Sequence, residues 1–482
     1  MQDYNINDSS EISYRARRIA HWDHLAGRQR SYGKWAYYYR RRLKEIYRSI
    51  IPEGSRVLEI GCAQGELLDA LKTSRGVGID FSKEMIARAR AKFPHLEFIE
   101  CDAHTYAVEE VFDYIILSDV VNDLWDVQKV FAQLRKNCIP STRVVMNYYS
   151  RVWGVPLGYA QRMGLAQPLL PQNWLTTEDL GQIASFCDYE VIRHWQEILW
   201  PFRTPIFSSL CNRFLAKLWP FNHLALTNIL VIRPCLKPIS ENRNPSVSVV
   251  ISVRNEAGNI APTLARMPQM GQGTEVIFVE GHSTDDTYAV IEREIARYPY
   301  LKCKLLKQEG AGKADAVRLG FDHAEGEFFM VHDGDMTVVP EELMRFYQLL
   351  ASGKAEFING VRFVYPMQGK AMRFCNFIGN KFFGIIFSWL LGQHIRDTLC
   401  ANKALSRKNY LKVVLQRSYF GDFDPFGDFD LLFGAVKLNL KISDVPVRYR
   451  ERTYGSTKIS RWRNGLTLLK MAVFAARRLK FI

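Results

Sequence analysis

The sequence has no long apolar run, no paired-cysteine motif, no internal repeat and no low-complexity tract, and each absence removes a class of protein. A membrane-spanning helix needs ~18 consecutive apolar residues. The nearest run, Phe382 to Gly392, would cover about half of a bilayer core as a helix, so the chain is expected not to cross a membrane by itself. The cysteines, at 62, 101, 138, 187, 211, 235, 303, 375 and 400, form no CxxC and no zinc-ligand spacing. An odd, scattered set excludes a disulfide framework and reads as reduced thiols in a cytoplasmic protein. Met1 to Glu11 is polar and acidic, so no secretory leader is expected there.

What is present points to folded domains. Hydrophobic residues make up 48% and aromatics 13%, which excludes disorder as the general state. At 482 residues the chain suits two domains of ordinary to large size. The formal charge of +14 asks for a polyanionic partner: nucleic acid, an anionic membrane face or phosphorylated substrates. Composition does not separate these three.

Residues 1–50 form a basic and aromatic segment expected to be helical, with Arg15, Arg17, Arg18 and Arg40 to Arg42 around Tyr37, Tyr38 and Tyr39. In 51–235, strand-like runs at 56–60, 76–80, 96–100, 113–118 and 143–147 alternate with helical patterns, and Leu226 to Arg233 supplies a last strand. That is the rhythm of a doubly wound parallel sheet. Residues 236–245 are polar with a proline near each end, and we take them as a linker. In 246–482 a second α/β alternation follows, with strands at 247–252, 274–280, 301–306 and 328–332.

The first domain places Gly61 and Gly65 around the turn after the strand Val57 to Ile60, where missing side chains let a ligand approach the backbone. Asp80 ends the next strand, at a position suited to gripping two ribose hydroxyls. The spacing is not GxGxxG. An acid before the turn, Glu59, suits a cofactor without pyrophosphate and with positive groups. These residues resemble the class I S-adenosylmethionine-dependent methyltransferases over roughly 15–235. The resemblance implies a Rossmann-like fold with Glu59, Gly61, Cys62, Ala63 and Gly65 under the methionine part. It places Asp80 and Phe81 on the ribose and Asp102 on the adenine amino group, with Ala103 and Ser118 in the same site. Ala63 stands where that family often has glycine and tightens the turn. Asp119 and Asp123 are candidate acceptor-side groups, with helix capping or solvation as the plain alternative.

The second domain has a polar cluster, Val253-Arg254-Asn255-Glu256, at its first strand end. Glu280 ends the next strand before a Ser/Thr/Asp turn that contains Asp285. Lys313 opens a helix and offers a cation near phosphates. Asp333-Gly334-Asp335 ends the strand Phe328 to Val331, so two carboxylates can reach one Mg²⁺ or Mn²⁺ bridged to substrate phosphates. In this order the elements resemble family 2 glycosyltransferases over roughly 245–482, and within them the dolichol-phosphate mannose synthase group. The match extends to Asp397-Thr398-Leu399-Cys400, Gly427-Asp428-Phe429-Asp430 and Glu451 to Lys458.

That resemblance implies a nucleotide-diphosphosugar transferase (GT-A) fold and a nucleotide sugar bound by the residues from Val253 to Asp335 just named. It makes Asp333, Asp335 and Asp428 metal ligands, and it turns Arg452 and Lys458 toward the diphosphate or a phosphorylated acceptor. A phosphate acceptor is already anionic, whereas an alcohol needs a base, for which Asp397, Asp428 or Asp430 are candidates. Asp397 reads equally well as a buried cap. Ser252 and Val253 stand where the family usually has proline and a small residue. Glu280-Gly281-His282 replaces its usual Asp-Asp-Gly, which bears on the choice of base.

Asn464 to Ile482 mixes leucines with Lys470, Arg477, Arg478 and Lys480, the pattern of a basic amphipathic helix at an anionic interface. A core helix with solvated lysines is the plain reading. The N-terminal segment contains no nucleic-acid module. It is expected to cap the cofactor site or touch the membrane rather than bind RNA. The sequence thus predicts a bifunctional enzyme, methyltransferase and metal-dependent glycosyltransferase, working on a lipid-phosphate or glycan acceptor at the cytoplasmic face of the membrane. The alternatives are a glycosyltransferase with a non-catalytic cofactor-binding scaffold, and a binding protein with both sites vestigial.

Overall fold

The computed structural model describes residues 8–27, 34–163, 170–235, 244–366, 374–420, 427, 429–455 and 461–481. Most of the predicted linker, together with Asp428 and Lys458, lies outside these residues. The chain divides into two compact units, Met1–Cys235 with Phe481–Ile482, and Leu236–Lys480.

In the first unit, seven strands form one sheet: β1 (Arg56–Ile60), β2 (Arg75–Asp80), β3 (Glu97–Glu100), β4 (Phe112–Ser118), β5 (Cys138–Tyr149), β6 (Tyr189–Glu197) and β7 (Thr227–Pro234). Their order is β3-β2-β1-β4-β5-β7-β6. Strands β1 to β5 pair in parallel, while β7 runs antiparallel between β5 and β6, so the sheet is mixed rather than purely parallel. Leu58 and Ile60 of β1 enter one apolar core and Val57 enters another, so both faces of the sheet are covered. Burial on both faces is why these strands read as near-continuous apolar runs.

The second unit repeats the plan with β8 (Val247–Val253), β9 (Thr274–Glu280), β10 (Lys302–Lys307), β11 (Phe328–Asp333), β12 (Phe357–Val361), β13 (Lys403–Ser406) and β14 (Ile442–Pro446). The order is β10-β9-β8-β11-β13-β12-β14. Strand β13 is antiparallel to both of its neighbours, which makes this sheet mixed as well. Val250 faces one core and Val249 and Ile251 the other.

In each sheet the order reverses beside the first strand of the unit, between β1 and β4 and between β8 and β11. Helices leave such neighbouring strands toward opposite faces and open a crevice at their carboxyl ends, where ligands of open α/β sheets bind. Among the described residues, no helix is long and apolar enough to cross a membrane.

Candidate active sites

At the carboxyl end of β1 the chain turns through Gly61 (φ 72°), Ala63 (φ 46°) and Gly65 (φ 74°) into the helix Glu66–Ala70. A Cβ on Gly65 would lie 2.4 Å from the Phe98 ring and one on Gly61 2.7 Å from Val120. The turn therefore depends on absent side chains for space as well as conformation. Ala63 is accommodated at positive φ because its amide donates to Asp80 Oδ2 (2.9 Å). Asp80 also accepts from Ser82 N through Oδ1 (2.9 Å), and burial pushes its carboxyl up to about 6. Phe81 adjoins it, and Cys62 lies buried with its Sγ against Gly78.

Glu59, beneath the turn, is 2% exposed, and its Oε2 is buried without a hydrogen-bond partner. Burial, reinforced by the Asp80 carboxylate, pushes it up to about 8. A buried carboxyl oxygen left without a partner is costly, and a cationic donor would satisfy it. The ammonium of a bound amino-acid moiety has that chemistry, so these residues fit the methionine part of S-adenosylmethionine.

Beyond the end of β3 the structure encloses Asp102. Asp102 Oδ1 accepts from His104 and Oδ2 pairs with Arg15 at 2.9 Å, which together hold its carboxyl below the ordinary range against the upward push of burial. Asp23 accepts the Ser82 hydroxyl (2.5 Å). Both Arg15 and Asp23 come from the helix Asp8–Gly27, so the N-terminal segment packs over Ser82 and Asp102. Ala103 is buried beside Asp102.

Past Ser118, at the end of β4, Asp119 adopts φ 55°, a costly conformation for a non-glycine residue. Its Oδ1 accepts from Tyr39 Oη (2.8 Å) and Asn147 Nδ2 (2.5 Å), and Asn147 in turn accepts from Tyr47 (2.8 Å). Burial raises the Asp119 carboxyl to about 6. Asp123 faces Arg18 at 3.5 Å instead. Neither carboxylate is a solvated surface group, and Tyr39 and Arg15 are site residues that the strand-end motifs did not indicate.

In the second unit, Asp333 at the end of β11 accepts from Lys313 (2.7 Å). Burial pushes the Asp333 carboxyl up, but the Lys313 ammonium outweighs it and the net direction is down. Asp335 accepts from Thr337 through Oδ1 and from Arg452 through Oδ2 (2.5 Å). Arg452 also reaches Glu256 (3.1 Å). A Cβ on Gly334 would lie 2.7 Å from Val253, so the acidic turn packs directly on the end of β8. Asn255 and Thr284 hydrogen-bond across the β8 and β9 ends (2.7 Å), Glu280 accepts from Ser283 N (2.5 Å), and Asp285 caps Thr287. Arg254 is exposed beside them.

Gly427 (φ 73°) packs on the Lys313–Ala314 backbone, where a Cβ would stand 2.8 Å from the Ala314 Cα. Among the described residues no group of three or more ligating side chains converges on a metal position. Two carboxylates held against cations nonetheless fit a divalent ion that brings phosphate oxygens and waters of its own.

The base candidates fare differently. Asp397 is fully buried and grips Arg362 with both oxygens (2.7 and 2.9 Å) while accepting from the amides of Arg362 and Leu399. It is a structural anchor, not a base open to an acceptor. Asp397→Ala is expected to cost about 3–5 kcal/mol by leaving Arg362 buried and unpaired. A denaturant titration checks this, and an unchanged midpoint with lost sugar transfer would restore the catalytic reading. Asp430, also buried, pairs with Arg417 (3.0 Å) and Arg318 (3.2 Å).

Residues 51–195 match the methyltransferase domain family and residues 248–413 match glycosyl transferase family 2. The glycosyltransferase AglJ of Haloferax volcanii is 28% identical over 44% of this chain and 65% of its own length. The undecaprenyl-phosphate 4-deoxy-4-formamido-L-arabinose transferase of Edwardsiella ictaluri is 25% identical over 44% of this chain and 62% of its own. The dolichol-phosphate mannosyltransferase of Pyrococcus furiosus is 29% identical over 24% and 33%. The chain thus spans less than two thirds of each of these relatives.

Proposed function

Because the chain carries a methyltransferase domain and a glycosyltransferase family 2 domain, we propose that it is a bifunctional transferase. One unit moves a methyl group from S-adenosylmethionine and the other moves a sugar from a nucleotide diphosphate to a polyprenyl-phosphate or related glycan acceptor. The observation that carries this reading is the position of the acidic residues. In each unit they stand at strand carboxyl ends beside the point where the strand order reverses.

In the methyltransferase unit, Asp80 would hold the ribose and Glu59 the ammonium of the cofactor. Asp119, fixed by Tyr39 and Asn147 through one oxygen and partly exposed, takes the proton of a hydroxyl acceptor as the methyl group arrives. In the glycosyltransferase unit, Asp333 and Asp335 would hold Mg²⁺ or Mn²⁺, with Asp428 as a further ligand. The ion supplies positive charge to the departing diphosphate. Lys313 and Arg452 add to that charge and position the phosphates.

Work at an anionic membrane face is supported by the surface of the second unit. The helix Phe374–Leu391 leaves Ile378, Phe382 and Ile385 exposed on one side, and the helix Arg461–Ala475 leaves Leu466 and Leu469 exposed before the basic residues Arg477, Arg478 and Lys480. The names of the relatives support a polyprenyl-phosphate acceptor.

The test is paired assays on the full chain: labelled nucleotide sugar with Mn²⁺ and a short polyprenyl phosphate, and labelled S-adenosylmethionine with the glycosylated product. Asp119→Asn is expected to slow methyl transfer about a hundredfold with cofactor affinity unchanged. Absence of turnover in both assays over a panel of nucleotide sugars would favour a scaffold with vestigial sites.

A further inference from the structure

Two segments of the methyltransferase unit, 150–177 and 198–226, follow the carboxyl ends of β5 and β6. Tyr149 of β5 and Glu197 of β6 both pair with Thr227 at the start of β7, so both segments emerge at the cofactor end of the sheet. They are joined there: Trp153 Nε1 donates to Leu224 O (2.9 Å) and Ser150 N to Leu226 O (2.8 Å).

Their composition is one-sided. Neither segment contains an aspartate or glutamate, in a chain that holds 50. Arg151, Arg162, Arg203 and Arg213 are all exposed. Large apolar side chains stand out beside them. Val155 and Tyr159 lie one turn apart on the helix Gly154–Arg162, with Met163 following, exposed by 70%, 59% and 66%. In the second segment Ile206 is 86% exposed, Trp219 80% and Leu210 48%. Scattered surface hydrophobics need no explanation, whereas exposed apolar side chains concentrated on two joined segments with one sign of charge point to an interaction site.

We propose that this face docks the methyltransferase unit on an anionic lipid bilayer, so that its cofactor opens toward a membrane-held acceptor. Apolar and aromatic side chains entering the headgroup region, with arginines and no acid around them, match such a surface in both polarity and charge. A free sugar would not use the exposed aliphatics. The inference rests on the reading above that the acceptor is lipid-linked. It goes beyond it by giving the methyltransferase unit a membrane contact of its own.

The experiment is hydrogen–deuterium exchange on the full chain, alone and with phosphatidylcholine vesicles lacking or containing phosphatidylglycerol, alongside vesicle sedimentation. Protection of 151–163 and 204–224 only with the anionic vesicles is expected. The double variant Ile206→Glu/Trp219→Glu should lose that protection and weaken sedimentation by about tenfold or more, while still binding S-adenosylmethionine as a check that it folds.

Three results would overturn the proposal. Protection of 374–391 alone would confine docking to the glycosyltransferase unit. Concentration-dependent protection without vesicles would make the face an interface between copies. No sedimentation by the wild type at all would remove the membrane reading itself and so separate that failure from failure of this face.

Discussion

Replacing Asp335 with asparagine is expected to slow sugar transfer on the order of a hundred- to thousandfold and to leave S-adenosylmethionine binding untouched. The side chain lies at the meeting point of the second site: one oxygen is fixed by Thr337 and the other faces Arg452, which also spans to Glu256. Asparagine keeps the volume and can keep the bonds from Thr337. It removes the negative charge that balances Arg452 and that would help hold a divalent ion. Removing the ion with a chelator should depress the wild-type rate comparably and have little further effect on the variant. Initial rates with labelled nucleotide sugar measure the first effect and calorimetry with S-adenosylmethionine the second. A variant within threefold of the wild-type rate would move the metal site elsewhere.

The parts legible in the sequence are those that a local window contains. Apolar runs ending in glycine or acid located β1, β2, β8, β9 and β11 to within a residue or two, because strands buried on both faces have no freedom to be polar. The turn at Gly61 and Gly65 was legible because a glycine pair after an apolar strand marks a place where side chains are excluded. What escaped were pairings made by the crossovers. Nothing around Asp397 announces Arg362, 35 positions earlier, yet that arginine turns a candidate base into a buried anchor. Asp119 and Tyr39 stand 80 positions apart, and a segment expected to cap the cofactor site or touch the membrane does not by its pattern say which tyrosine meets which carboxylate. Arg15 on Asp102 is a third case, since the motif names the carboxylate but not the cation that shares it.

Glu59→Gln is the substitution whose effects should separate a cofactor carboxylate from a structural one, because the two effects have opposite signs. Burial lifts this carboxyl from 4.5 to about 8 in the folded protein. The folded state therefore keeps a proton that the unfolded chain has already released between those values. Stability from this group is complete below pH 4.5 and drains away as pH rises through 8. Glutamine does not titrate, so without cofactor the variant should be about 1–3 kcal/mol more stable than the wild type near pH 8, and its stability should vary less with pH. With cofactor the order should invert. The ionised Glu59 is the unsatisfied buried acceptor under the turn, and losing a charge-assisted bond to an ammonium should weaken S-adenosylmethionine about tenfold or more. The calorimetric transition that the cofactor shifts reads both effects in one experiment. If the variant is less stable than the wild type at pH 8 and binds the cofactor equally well, Glu59 serves the fold, and the positive end of the cofactor must be met by another group.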